Sequence, residues 1–199
     1  MQRVFSTAII NAGGRSVRMG TDKAFVKLNG KMLLDIIIAN VKLCFDEVIL
    51  VVNEPDKYCR YRDITIIEDC IKGVGPIAGL YTGLREAHSE YCFFIACDMP
   101  FINYEYIEHM KMEINTCGYD AVITQRQKGI EPFHGFYSTK LADRIAKNID
   151  EGVRSFYSLL QGGNTLFIPE EIAARYDERL NFFTNINTRE DMNALTGGL

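Results

Sequence analysis

The chain has 199 residues, 47% of them hydrophobic and 24% charged, a length and balance that suit one large soluble domain with a sizeable core. Its net charge of -4 argues against a general nucleic-acid binder, which would need a broad basic surface. No stretch approaches the ~20 consecutive apolar residues that span a bilayer, so no membrane association is expected.

Apolar runs of strand length alternate with stretches of helical period. Residues 4–10 (V-F-S-T-A-I-I) read as a first strand and 32–44 as an amphipathic or largely buried helix. The run E-V-I-L-V-V-N at 47–53 is almost wholly apolar and mainly β-branched, the pattern of a strand buried on both faces of a parallel sheet. A short strand at 64–67 follows, then a helix over 76–88 opened by Pro76 in the favoured first turn. Residues 91–97 make the next strand, 103–115 a helix and 120–125 another strand. Beyond it, 127–138 reads as a hairpin or a loop plus strand, and 138–149 as a helix. Short strands are expected at 165–168 and 182–186, and T-R-E-D-M-N-A-L at 188–195 closes the chain as a helix with a capping-box-like start.

This alternation predicts a doubly wound α/β fold: one domain over 1–199 with a mostly parallel sheet, no linker and no internal repeat. In such sheets ligands bind outside the carboxyl ends of the strands. The chemically loaded residues of the first half fall there: Asn11 to Gly14 follow the first strand, Asn53 ends the second, Glu68 and Asp69 follow the third, and Asp98 ends the fourth.

The loop after the first strand, N-A-G-G-R-S-V-R-M-G-T-D-K at 11–23, is neither a P-loop nor a G-x-G-x-x-G turn. Gly13 and Gly14 let the backbone approach a ligand and aim N–H groups at it, while Arg15, Arg18 and Lys23 add cations over the same volume. Two such cations at ~4 Å from phosphate charges contribute ~4 kcal/mol each at an effective dielectric of 20, enough to hold a triphosphate. From residue types alone, a solvated glycine turn with surface cations explains the loop equally well.

The longer stretch N-A-G-G-R-S-V-R-M-G-T-D-K-A-F-V-K-L-N-G-K-M-L-L resembles the signature loop of nucleotidyltransferases with a sugar-nucleotide-transferase-like fold. Its closest match is the molybdenum cofactor guanylyltransferases of the MobA type, with their L-A-G-G-x-S-x-R-M-G-x-D-K-x-L loop. The A-G-G doublet and the D-K ending separate that family from relatives carrying A-A-G-x-G-x-R-M and P-K. Asn11 stands where the family usually has leucine. V-V-N-E-P-D-K-Y at 51–58, I-I-E-D-C-I-K-G-V-G-P-I-A-G-L at 66–80, C-D-M-P-F-I at 97–102 and N-I-N-T-R-E-D-M at 185–192 resemble further family segments in the family's order.

The resemblance implies a three-layer Rossmann-like fold whose residues 1–125 bind the nucleotide and whose residues 126–199 bind the acceptor. It implies transfer of GMP from Mg²⁺-bound GTP to the phosphate of molybdopterin or molybdenum cofactor, in the cytoplasm, with transient contact to cofactor-loading proteins and molybdoenzymes. Lys23, Arg18 and Asp98 would be catalytic, and Asp98 with Asn187 would hold Mg²⁺. Asn11, Ala12, Gly13, Gly14, Lys23, Asn53, Asp69, Gly75 and Asp98 would line the nucleotide. Each residue has a plainer reading: a surface lysine for Lys23, a turn aspartate for Asp98, strand-end caps for Asn53 and Asp69, a helix N-cap region for Asn187. Gly75, Pro76 and Gly79 would allow a close helix approach. A cytidylyltransferase of the same fold and a non-catalytic nucleotide-binding adaptor are the rival readings.

The remaining polar residues carry less. His134 reads as a pocket-lining or hydrogen-bonded histidine, not a general base, because an anionic phosphate nucleophile needs positioning more than proton abstraction. With Glu131 it would contact the second substrate. His88 and His109 are expected on helices facing solvent. The six cysteines form no C-x-x-C pair and read as reduced thiols in the core.

Overall fold

A computed structural model describes residues 4–13, 25–28 and 30–186. The first strand, β1 (Thr7–Asn11), is buried along its whole length. A small hairpin, β2 (Lys27–Leu28) with β3 (Lys31–Met32), was not anticipated from the sequence; Gly30 at its turn takes φ +83°, which glycine adopts without strain. Then come α1 (Leu33–Val41), β4 (Glu47–Val52), β5 (Thr65–Glu68), α2 (Pro76–Glu86) and β6 (Tyr91–Ala96). The second half holds α3 (Tyr104–Cys117), β7 (Ala121–Arg126), β8 (Gly129–Ser138), α4 (Leu141–Asp150), α5 (Phe156–Gln161), β9 (Thr165–Pro169) and α6 (Glu170–Ala173).

Among the described residues, seven strands form one sheet in the order β5-β4-β1-β6-β8-β7-β9. Every pairing is parallel except those of β8, which runs antiparallel to both β6 and β7. The doubly wound, mostly parallel sheet expected from the sequence is therefore present. The order reverses at β1: the chain first adds β4 and β5 on one side, then returns to place β6 on the other, which opens a crevice at the carboxyl ends of β1 and β6.

The strands bury both faces. In β1, Ala8 and Ile10 join a core covered by Leu34, Ile37 and Val41 of α1 and Tyr106, Ile107 and Met110 of α3. Ile9 points the other way, into a core covered by Ile77, Leu80 and Leu84 of α2 and Leu141 and Ile145 of α4. Each such isoleucine contributes ~1.5–3 kcal/mol by burial. Helix α2 comes unusually close to β1: a Cβ on Gly83 would lie 2.5–2.9 Å from three side-chain carbons of Ile9. Because Ile9 is fully enclosed, Gly83→Ala is expected to destabilise the protein by ~1–3 kcal/mol, measurable by urea unfolding.

Three expectations need correction. Residues 182–186 are not a strand; Asn181–Phe183 form a single 3-10 turn entered through Leu180 at φ +51°. Phe182 and Phe183 are buried because they pack on His134 and Tyr106, so their apolar character reflects tertiary contacts and not a sheet. Only Cys92 and Cys97 are core thiols; Cys59, Cys70 and Cys117 are exposed and Cys44 is half-buried. His88 lies beyond the end of α2, paired with Glu47 at 2.5 Å, and His109 is half-buried against the rings of Tyr106 and Tyr176. The helix expected at 188–195 lies outside the described residues.

Candidate active site

The carboxyl end of β1 is held from both sides. The N–H of Ala12 donates to the Val51 carbonyl at 2.9 Å, and the N–H of Cys97 donates to the Asn11 carbonyl at 3.0 Å. Asn11 lies two residues beyond Ile9, so its side chain falls on the α2 face. There Gly79 leaves the space: a Cβ at that position would collide with Asn11 Oδ1 and stand 3.0 Å from its Cγ. The side chain is buried, and Oδ1 has no hydrogen-bond partner among the described residues.

Three polar side chains from three strand ends converge on Gly13. Asp69 Oδ2 lies 3.5 Å from the point a Gly13 Cβ would occupy, and Asn11 Oδ1 and Asn53 Oδ1 each lie 3.6 Å from it. Asp69 is placed by its N–H, which donates to the Val52 carbonyl at 2.7 Å. Its other oxygen, Oδ1, accepts from the Ile71 N–H at 3.1 Å and the Thr82 hydroxyl at 3.2 Å. Burial nonetheless holds this carboxyl above the ordinary aspartate range; those two bonds and Lys72 pull it back only in part. Asn53 is exposed just past β4. Gly75 caps α2 at φ +96°, next to Gly73 at φ +80°, so this turn depends on glycine, and Pro76 begins the helix as expected.

Asp98 is buried in the turn that follows β6, across the switch point from Asn11. The turn is braced at both ends. The Met99 N–H donates to the Ala96 carbonyl at 3.2 Å, and Asn40 of α1 donates to the Pro100 carbonyl at 3.0 Å. The carbonyl of Asp98 itself accepts from the Ile186 N–H at 2.8 Å, so the last described residue of the chain lies against this turn. Gly14, Arg18, Lys23 and Asn187 fall outside the described residues.

The sequence model of the MobA-like NTP transferase domain matches residues 8–165, most of the chain and the ends of β1, β4, β5 and β6. This chain belongs to the MobA-like NTP transferase family. A probable molybdenum cofactor guanylyltransferase of Peptoclostridium acidaminophilum is 42% identical over 198 residues, covering 96% of this chain and 88% of that protein. A molybdenum cofactor guanylyltransferase of Syntrophotalea carbinolica is 37% identical over 187 residues, covering 94% and 89%. The crystal structure of molybdopterin-guanine dinucleotide biosynthesis protein A from Archaeoglobus fulgidus superposes with a TM-score of 0.83 at 30% identity, covering 97% of this chain and all of that one. The expected nucleotidyltransferase fold is thereby confirmed, and the chain is a nucleotidyltransferase enzyme.

For a MobA-like NTP transferase the acceptor must reach the same sheet edge as the nucleotide. At the carboxyl ends of β7 and β9 a cleft is lined by Gln125, Arg126, Gln127, Phe167, Pro169 and Glu170. Arg126 is clamped there by Glu131 at 2.9 Å and Glu170 at 3.0 Å, and lies over the Phe183 ring at 5.6 Å. Neither this arginine nor Thr82 behind Asp69 was singled out from the sequence, because nothing local to either residue marks it; both become visible only when distant strand ends meet.

His134 does not line a pocket. It is fully buried at φ +56° among Phe93, Phe182 and Tyr106, and its Nε2 accepts weakly from the Asn103 N–H at 3.5 Å. Burial lowers its pKa to about 3, so at neutral pH it is uncharged and enclosed, which excludes it as a surface base or substrate contact.

Among the described residues there is no group of three or more His, Cys, Asp or Glu side chains arranged to hold a metal, nor a helix long and apolar enough to cross a membrane. The donor set suits a magnesium ion all the same. Such ions are bound through one or two carboxylates plus substrate phosphates and water, and Asp98 supplies one buried carboxylate in the turn after β6.

Proposed function

We propose that the chain transfers GMP from GTP to the terminal phosphate of molybdopterin or its molybdenum-loaded form, releasing pyrophosphate. The observation that carries this reading is the convergence of Asn11, Asn53 and Asp69 on Gly13, at the same sheet edge as Asp98, in a chain of this family. Residues 1–125 would hold GTP and residues 126–199 the acceptor. The Gly13 and Gly14 amides would approach the triphosphate, and Arg18 and Lys23 would place cations on it. Ala12 and Gly75 would line the nucleotide with backbone, while Asn53 and Asp69 would present side-chain acceptors to the base.

Asp98 would hold Mg²⁺, with Asn187 completing the set; when bound, the ion neutralises triphosphate charge. The acceptor's phosphate oxygen forms a bond to the α-phosphorus of GTP as the bond to the β-phosphate oxygen breaks, and pyrophosphate leaves with that electron pair. The nucleophile is anionic near neutral pH, so no base is required. What the chain supplies is alignment and a fixed positive environment. The site is proposed to work in the cytoplasm and to pass its product to molybdoenzymes and loading proteins through transient contacts.

The purified chain with molybdopterin, GTP and Mg²⁺ is expected to yield the guanine dinucleotide and one pyrophosphate per product, detected by chromatography and a coupled phosphate assay. Turnover with CTP in place of GTP would identify a cytidylyltransferase instead. Tight GTP binding without pyrophosphate release would identify an adaptor.

A further inference from the structure

We infer that the Asn11 carboxamide is a specificity-determining group that reads the exocyclic 2-amino group of guanine. This rests on the guanylyl-transfer reading and adds a residue to it. Four observations lead here.

First, Asn11 Oδ1 is a buried acceptor with no partner among the described residues, although the Asn11 backbone is fixed by β4 and β6. Buried carbonyl oxygens without donors are uncommon, and each one calls for an explanation. Second, the oxygen is given room on one side by the missing side chain of Gly79, a position where any Cβ would strike it. Third, its other neighbour is Gly13, which has no side chain to supply the missing donor or to fill the space beside the oxygen: Oδ1 lies 3.6 Å from the point a Gly13 Cβ would occupy.

Fourth, the neighbouring groups are acceptors as well. Asp69 Oδ2 and Asn53 Oδ1 meet Asn11 Oδ1 around the same point, while Asp69 Oδ1 is already satisfied by Ile71 and Thr82. Three oxygens facing one small volume favour a ligand edge made of donors. Among the nucleobases, guanine alone presents two adjacent donor groups, a ring N–H and an exocyclic NH₂, three hydrogens in all. Cytosine puts acceptors beside its single amine and would leave two of the three oxygens opposed to lone pairs. The amine is the one group on guanine's edge with two hydrogens, so it needs a second acceptor beyond the carboxylate that takes the ring N–H. Asn11 Oδ1 provides that acceptor.

The test is equilibrium binding of nucleotides to the intact chain by calorimetry, a readout independent of turnover. Wild type is expected to bind GTP roughly tenfold more tightly than ITP, which lacks only the 2-amino group. Asn11→Leu, which removes the carboxamide at nearly the same size, is expected to weaken GTP binding by about tenfold, leave ITP nearly unchanged and so erase the preference. An Asn11→Leu protein that keeps the wild-type GTP-to-ITP ratio overturns the inference, and so does a wild type that binds the two equally, a comparison that needs no variant to fold. Loss of affinity for 2′-deoxy-GTP with none for ITP would assign Oδ1 to the ribose and also overturn it. A wild type that prefers CTP to GTP would instead overturn the underlying guanylyl reading, so the two failures are distinguishable.

Discussion

Asp98→Ala is expected to lower GMP transfer about a thousandfold or more while leaving the fold intact. A thousandfold corresponds to ~4 kcal/mol of lost transition-state stabilisation, the upper range for removing one preorganised electrostatic group. The expectation follows from position. Asp98 is buried in the turn after β6, the strand next to β1 where the strand order reverses. Its backbone is placed by interactions alanine retains: its carbonyl accepts from Ile186, and the turn is braced through Met99 and Pro100. The substitution therefore removes a carboxylate without removing the scaffold. Asp98→Asn keeps the shape and one neutral oxygen, and should still lose about a hundredfold, because a neutral amide is a poor ligand for a hard cation. The measurement is kcat/KM from pyrophosphate release, with a thermal melt of each variant as the control. Activity within tenfold of wild type for Asp98→Ala would remove Asp98 from the catalytic centre.

The sheet was legible because parallel strands announce themselves locally. The run Glu47–Val52 has no polar residue to spare for solvent after its first position, and Tyr91–Ala96 is buried at every residue. Their ends are equally local: the polar residues that close the apolar runs are Asn11, Asn53, Glu68 with Asp69, and Asp98, and these gather at one edge because all four strands run the same way. Pairing is another matter. That 127–138 would insert between β6 and β7, antiparallel to both, depends on contacts with strands up to 47 residues away, such as Tyr91 with Ser138. The short helix α5 has only six residues, too few to show a period, although Ser155 caps it by accepting from the Ser158 N–H. At 182–186 the aromatic composition of a strand belongs to a segment that fills a gap beside His134.

The site shows the same division. Sequence placed Asn11, Asn53, Asp69 and Asp98 at strand ends; it could not reveal that Asn11 Oδ1 lacks a donor among the described residues, since that depends on Gly79 arriving from α2, 68 positions later. Nor could it separate Asp69's two oxygens, one spent on Thr82 and Ile71 and the other turned to Gly13. Asymmetry of this kind fixes the carboxyl through its inner oxygen and leaves a single acceptor directed toward Gly13.

The largest effect on stability is expected at His134, and it carries a pH signature. The ring is fully buried with centroids 4.9 Å from those of Phe93 and Phe182, and burial depresses its pKa from 6.5 to about 3. Once unfolded, this histidine takes up a proton as the pH falls through about 6.5, whereas in the folded protein it stays neutral until about 3. The unfolded state thus binds more protons in that window, and stability must rise with pH: His134 places no such cost on folding above about 6.5, and up to ~1.4 kcal/mol is lost for each unit below it. Asparagine tolerates the positive φ at this position and cannot protonate in this range. His134→Asn is therefore expected to be ~2–4 kcal/mol less stable than wild type at pH 8, from lost ring packing, yet less sensitive to acid. The gap should narrow by roughly 2 kcal/mol on going to pH 5. Urea unfolding of both proteins at pH 8, 6 and 5 measures this, and a gap independent of pH would show that the histidine is not held neutral. The consequence reaches the site, because the Asn103 N–H donates to this ring and Asn103 caps α3 directly after the Asp98 turn. Protonating Nε2 would remove that acceptor, so the same acid-dependent cost falls on the segment that leads from the Asp98 turn into α3.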